Sequence, residues 1–182
     1  MRLRNLRSQR GAEWYCLRKG SIEMKKYYLA YGSNLNTAQM RHRCPMARVV
    51  GTAEIDGYEL LFKGSGTGAY LTIEKAKGKS VPVAVWEVGR YDELALDQYE
   101  GYPDFYYKTD MMVECIEIGT HRRRKVNAFV YIMHEDRRIG IPSRYYVKTC
   151  LDGYRTFGFD ESKIYTAIYE SRVRSDENNR TY

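Results

Sequence analysis

From residue 47 to residue 88 the chain offers one strand-forming stretch after another with no helix between them, and this bounds the fold more tightly than any other feature. Residues 47–54 and 58–62 are rich in β-prone side chains, and Asp56-Gly57 between them is a hairpin signal. Residues 69–74 follow a glycine-containing segment, and residues 82–88 follow a turn at Lys77-Gly78-Lys79. A single helix-like segment, "YDELALDQYEGYP", then intervenes. Asp92 is placed to cap it, Leu94 and Leu96 to pack inward, and Gly101 to end it. Two more alternating runs, residues 106–118 and 125–133, flank the charged tip "GTHRRRK". With a buried run at residues 27–31, the count is about six strands and a few short helices. Helices that strictly alternated with strands would indicate a doubly wound sheet. This order predicts instead a mixed α/β fold with short flanking helices, either a mixed sheet or a small, partly closed β-barrel. Two helices are expected at the C-terminal side, over residues 143–156 and 161–170, joined around Gly158.

A chain of 182 residues with 43% hydrophobic content has material for one core. The domain is expected over residues 24–171, with 172–182 as a polar tail. Of the net charge of +7, the first 23 residues carry six cations against two acids, or +4, which leaves +3 for everything else. Residues 1–23 therefore read as a basic, poorly ordered extension, or as an upstream start that is not the natural one. The competing reading is an arm that contacts nucleic acid or acidic lipid. No apolar run approaches the ~18 residues a membrane-spanning helix needs. Cys16, Cys44, Cys115 and Cys150 are widely separated and form no C-x-x-C pair, and His42, His121 and His134 form no H-E-x-x-H. Free thiols in a reducing cytosol, a cytoplasmic location and no metal are the corresponding expectations.

Two short stretches carry chemistry. The first is "YYLAYGSNLN", where a buried strand stops at Gly32-Ser33-Asn34 and a helix over residues 37–43 begins, capped by Asn36 and ended by Pro45. Glycine lets backbone approach a ligand, and successive N–H groups running into a helix make an anion cradle. A plain turn using Gly and Asn for their backbone tolerance is the other reading. The second is Glu100 in "LDQYEGYP". A carboxylate at a helix C-terminus sits in an unfavourable field, and burial between Tyr99 and Tyr102 would raise its pKa further. Such a group can take and return protons near neutral pH; an exposed glutamate on a frayed helix end is the alternative. The glycines at 64, 66 and 68 precede a strand, so a dinucleotide-binding turn, which needs a helix there, is disfavoured. A hairpin or a loop rimming a cleft fits them better.

Taken together, "YLAYGSNL", "GAYLTI" after a glycine-containing loop, "LDQYEGYP" and "PSRYYVKTCLDGYRTFGF" occur in an order that resembles the gamma-glutamylcyclotransferases, over about residues 24–170. The resemblance implies that family's small mixed barrel and its reaction, conversion of a gamma-glutamyl amine or peptide to 5-oxoproline plus a free amine or amino acid. It implies Glu100 as the acid–base group. It further implies Gly32, Ser33, Asn34 and Leu35 as a substrate-holding loop whose amides bind a carboxylate or an oxyanion, with Tyr31 at its start. Tyr107 and Tyr146 match pocket tyrosines, and Tyr28 and Ser33 are secondary candidates. No cofactor is implied, because the nucleophile is the substrate's own amine.

The family's branches differ in leaving group: amino acids, the lysine side-chain amine, polyamine-like or antibiotic amines, and glutathione. "YGSNL" places the chain outside the glutathione branch. The leaving-group pocket is expected around residues 64–68 and 102–106, where Asp104 would favour a cationic amine. A homodimer is left open, and nucleic acid is not an expected partner of the domain. The competing functions are a non-catalytic binder of a small carboxylate or of RNA, and a hydrolase in which Glu100 activates water.

Overall fold

A computed structural model of the protein describes residues 25–65 and 68–180, with the backbone alone at residues 65 and 176–180. The expected disorder of residues 1–23 and the loop tip at Gly66 lie outside the described residues. In chain order the elements are β1 (Lys26–Ala30), a 3₁₀ turn (Ser33–Leu35), α1 (Thr37–Arg43), β2 (Arg48–Ser65), β3 (Gly68–Val88), α2 (Arg90–Glu100), β4 (Tyr106–Glu117), β5 (Arg123–Met133), β6 (Arg138–Ile139), α3 (Arg144–Phe157) and α4 (Ser162–Arg180). The strands run in the order β3-β1-β5-β4-β2-β6, and β2 also pairs with β3. That last pairing closes five strands into a barrel and leaves β6 as an appendage on β2. The mixed α/β barrel is as the sequence predicts, with closure complete. No helix among the described residues is long and apolar enough to cross a membrane.

The long β2–β3 ribbon differs from expectation. Asp56-Gly57 does not turn the chain into a hairpin; β2 continues through it. The pairing steps from Asp56↔Ser80 to Tyr58↔Lys75, so Gly57 faces an outward excursion of β3 around Gly78. Both glycines have positive φ, +77° and +80°. A β-bulge and a tight hairpin turn ask for the same left-handed residue, so the local signal does not separate them. The real hairpin tip lies at the glycine-containing segment, where Ser65 pairs with Gly68.

The closed sheet buries its inner face in a core. Leu29, Phe62, Ile73, Val83, Val85 and Val130 are wholly inaccessible, each contributing about 1.5–3 kcal/mol through burial. In β3, residues 81–86 are buried without alternation, so both faces of that strand are covered.

Helices α1, α2 and α3 begin and end where the sequence signals them. The Asn36 side chain accepts from Gln39 N at 3.1 Å, and Ser143 Oγ accepts from Tyr146 N at 3.2 Å. Asp92 acts from inside the first turn of α2, its carboxylate accepting from Gly89 N at 3.2 Å. Gly101 and Gly158 close α2 and α3 in the left-handed conformation. Leu94 corrects one expectation. It is 54% exposed while Leu96 is buried, because residues two apart project from different sides of a helix. The expected boundary at residue 171 falls inside α4, whose side is tied down where a polar tail was expected. Ser171 Oγ accepts from the buried Phe62 N at 2.9 Å, and Arg174 pairs with Glu59 at 2.8 Å.

One topological consequence sets up the site. β1 and β3 are antiparallel neighbours, so the end of β3, Val88, lies beside Lys26 at the start of β1. Helix α2 then runs back along β1, and the end of α2 meets the loop that leaves β1.

Candidate active site

At that meeting point the barrel end closes around a hollow of about 20 Å³, lined by Tyr28, Tyr31, Gly32, Ser33, Asn34, Leu71, Glu100, Tyr106, Tyr131 and Tyr146. It is room for about one water. It adjoins a larger vestibule of about 400 Å³, with which it shares Ser33, Glu100, Tyr106 and Tyr146. Two wider clefts, of about 620 and 710 Å³, lie along the strands and involve neither Glu100 nor the 32–34 loop.

Asn34 is the junction of the hollow. Its Nδ2 donates to Glu100 Oε1 at 2.8 Å and to Tyr28 OH at 2.8 Å, and its Oδ1 accepts from Arg43. An amide whose oxygen is taken by a guanidinium must present its NH₂ to the other side, so Arg43 fixes which way Asn34 faces. The Arg43 guanidinium also stacks 3.3 Å from the Tyr99 ring centroid, and the Tyr99 hydroxyl pairs with Ser33 Oγ at 3.1 Å. The last turn of α1, the loop and the last turn of α2 are thereby clamped together.

Burial pushes the Glu100 carboxyl up to about 7, against the smaller opposing effects of the Arg43 charge and the Asn34 hydrogen bond. The groups that enclose it are not those expected. Tyr99 and Tyr102 are 46% and 41% exposed, and the enclosure comes from Tyr28, Tyr31, Tyr106 and Tyr146 across the hollow. Those four phenols are raised well above the usual tyrosine range by burial, with the Glu100 charge adding to it, so they are neutral at any ordinary pH. Tyr31 and Tyr106 donate to the carbonyls of Tyr131 and Leu71 at 2.7 and 2.8 Å. Tyr146 OH accepts from Leu71 N at 3.2 Å. Underneath, Tyr131 donates to Asp97 at 2.6 Å, and Lys108 pairs with Asp97 and Glu93 at 2.9 and 2.8 Å. This brace holds α2 against β4 and β5.

The structure brings Tyr28, Tyr31, Gly32, Ser33, Asn34, Glu100 and Tyr146 to one place, and separates two further candidates from them. Leu35 is fully buried, and its N–H closes the 3₁₀ turn onto Gly32 O at 3.0 Å. Its role is packing, and the amides that the turn leaves unpaired within itself are those of Ser33 and Asn34. Tyr107 does not line the hollow. Its hydroxyl donates to Glu135 at 2.7 Å, while its neighbour Tyr106 points inward, because successive strand residues face opposite sides. That parity was the available signal for Tyr106. Arg43, Leu71, Tyr99 and Tyr131 carry no such signal; their places follow from tertiary contacts. A Cβ at Gly32 would come within 3.2 Å of the Tyr146 hydroxyl, a tight contact that would press on the pocket tyrosine. Asp104 does not line the vestibule. Cys44, Cys115 and Cys150 are buried free thiols. Among the described residues, no cluster of three His, Cys, Asp or Glu is arranged to hold a metal ion.

Comparison with known proteins identifies the family. A gamma-glutamylcyclotransferase from Homo sapiens is 29% identical over 121 residues, 63% of this chain and 62% of its own length. A gamma-glutamylcyclotransferase from Mus musculus is 26% identical over 159 residues, covering 84% of this chain and 79% of its own. The chain thus spans a little under two thirds of the human relative. A solved structure titled gamma-glutamyl cyclotransferase superposes with a TM-score of 0.66 at 25% identity, covering 74% of this chain and 81% of that one. The family described as gamma-glutamyl cyclotransferase, AIG2-like, matches residues 28–148, two thirds of the sequence and every residue of the hollow, and the chain belongs to that family.

Proposed function

We propose that this protein is a cyclotransferase that cleaves gamma-glutamyl amines or peptides to 5-oxoproline and a free amine or amino acid, with Glu100 as the proton carrier. The observation that carries the reading is the contact between the Glu100 carboxyl and Asn34 of the β1 loop, 2.8 Å, in a hollow that pushes that carboxyl up to about 7. The chemistry needs no protein nucleophile. The α-amine of the glutamyl group attacks its own γ-carbonyl carbon, a C–N bond forms, and the original amide C–N bond breaks. Holding the reactive conformer supplies most of the acceleration, since well-oriented ring closures reach effective molarities of about 10⁵ M or more.

Glu100 serves the proton transfers. Asn34 binds its Oε1, and among the described residues no donor reaches Oε2. As carboxylate it takes the proton from the attacking amine; as acid it returns that proton to the departing nitrogen. Atoms balance without water or a co-reactant. The Ser33 and Asn34 amides supply donors for the substrate carboxylate or for the oxygen that gains charge during attack. Tyr28, whose hydroxyl accepts from Asn34, keeps its own proton to donate. The buried free thiols fit a reducing, cytosolic setting.

The test is release of 5-oxoproline from gamma-glutamyl substrates by the purified chain, compared with Glu100→Gln. Loss of the proton carrier is expected to lower kcat by about 10²–10⁴-fold with the fold retained by circular dichroism. Equal rates would remove Glu100 from the mechanism, and free glutamate as product would indicate hydrolysis instead.

A further inference from the structure

The vestibule beside Glu100 has a composition that bears on the leaving group. Apart from Glu100 at its inner end, no Asp, Lys or Arg among the described residues lines its 400 Å³. Its walls are rings. Tyr70 meets Tyr146 edge-on at 5.2 Å and Phe105 at 6.4 Å, and Tyr99 faces the same space. Edge-to-face walls of this kind favour a further aromatic or bulky apolar group. Bare rings would also attract a cation, but here two of them already carry one. The Arg43 guanidinium lies against Tyr99 at 3.3 Å, and that of Arg137 lies 5.0 Å from the Phe105 centroid. A second ammonium on the leaving amine would meet like charge from both, while a carboxylate would be attracted. Glu100 does not offset this, because it acts at the scissile nitrogen and the tail of the leaving group extends away from it.

Building on the cyclotransferase reading, we propose that the vestibule is a leaving-group site for amino acids with an aromatic or bulky apolar side chain, and that it disfavours lysine side-chain amines and polyamines. The expectation attached to Asp104, a cationic amine, is thereby reversed.

The experiment measures kcat/KM of the full chain on four substrates: gamma-glutamyl-phenylalanine, gamma-glutamyl-alanine, the gamma-glutamyl amide of the lysine side chain, and gamma-glutamyl-putrescine. The phenylalanine substrate is expected to exceed each of the others by about tenfold or more. Phe105→Ala should narrow the phenylalanine-to-alanine ratio severalfold. Arg137→Gln removes the charge beside Phe105, together with the hydrogen bond to Asp104 O, and should move the phenylalanine-to-lysine ratio about threefold toward lysine, with the phenylalanine-to-alanine ratio as the control for displacement of the ring. Equal rates across the panel, or a preference for either cationic substrate, would overturn the inference and leave the cyclotransferase reading standing. Absence of 5-oxoproline from all four would bring down that reading and this one with it.

Discussion

Asn34 shows how one side chain can organise a proton-transfer site. Its two amide ends are held by groups of opposite demand, the Arg43 guanidinium on the oxygen and Glu100 with Tyr28 on the nitrogen. Arg43 is therefore a positioning residue that acts on Glu100 through Asn34 and through its own charge. Replacing it with methionine removes a cation that favours the ionised carboxylate. The acidic limb of the pH–rate profile, expected near 7 in the wild type, should then rise by about one unit, while Arg43→Lys should retain part of the difference. A limb that stays in place in Arg43→Met would argue against the coupling. Glu100 and the loop were legible in the sequence because their signals are local: a glutamate before a helix-ending glycine, and Gly-Ser-Asn at a strand end. Arg43 was not, since its role exists only once α1 and the loop have folded onto each other. Tyr107 shows a different failure, where the right neighbourhood was assigned one residue off and strand parity decides between the two.

Among elements, the contact that most directly shapes the hollow is α3 against the 3₁₀ turn. Gly153 lets α3 approach so closely that a Cβ there would lie 2.4 Å from Leu35 Cβ and 2.8 Å from the Leu35 carbonyl carbon. Gly153→Ala must push the turn outward, and with it Ser33 and Asn34. A stability loss of about 1–3 kcal/mol is expected, with turnover reduced when measured at a temperature where the variant remains folded. Gly57→Ala is the comparison, because nothing lies within 4 Å of that position. It should lose about 1 kcal/mol from the positive φ alone and keep its turnover. If both variants behave alike in stability and rate, α3 does not set the geometry of the loop. The same pair marks where sequence reading stopped. Strands, caps and helix ends were legible from local patterns, whereas the bulge at Gly57 and the tight crossing at Gly153 depend on the partner strand and the partner turn.

At the scale of the molecule, the site opposes the stability of the fold. Glu100 is pushed up to about 7 in the folded chain, from an ordinary value of 4.5. Below about pH 4 the group is protonated in both folded and unfolded states and has no effect. Between 4.5 and 7 the unfolded chain gives up its proton while the folded chain holds it, so folding becomes progressively less favourable, and above 7 the penalty levels off at about 3 kcal/mol. Glu100→Gln is neutral throughout. It should unfold at higher urea concentration than the wild type at pH 8, with the gap closing toward pH 4; a gap independent of pH would mean that the carboxyl is not held out of water. The mixed α/β arrangement was legible from the order of strands and the barrel from the family resemblance; its closure was not, because the β2–β3 pairing along the whole ribbon is hidden by two glycine irregularities.

Helix α2 is also a measuring rod. Its eleven residues cover about 16 Å, close to the reach of the five residues of β1, and that match delivers Glu100 to Asn34. One extra residue would rotate the final side chain by about 100° and swing the carboxyl out of register, and a whole added turn would restore its phase but overshoot by about 5 Å. Length changes that the exposed β4–β5 tip can absorb are thus forbidden to this one helix.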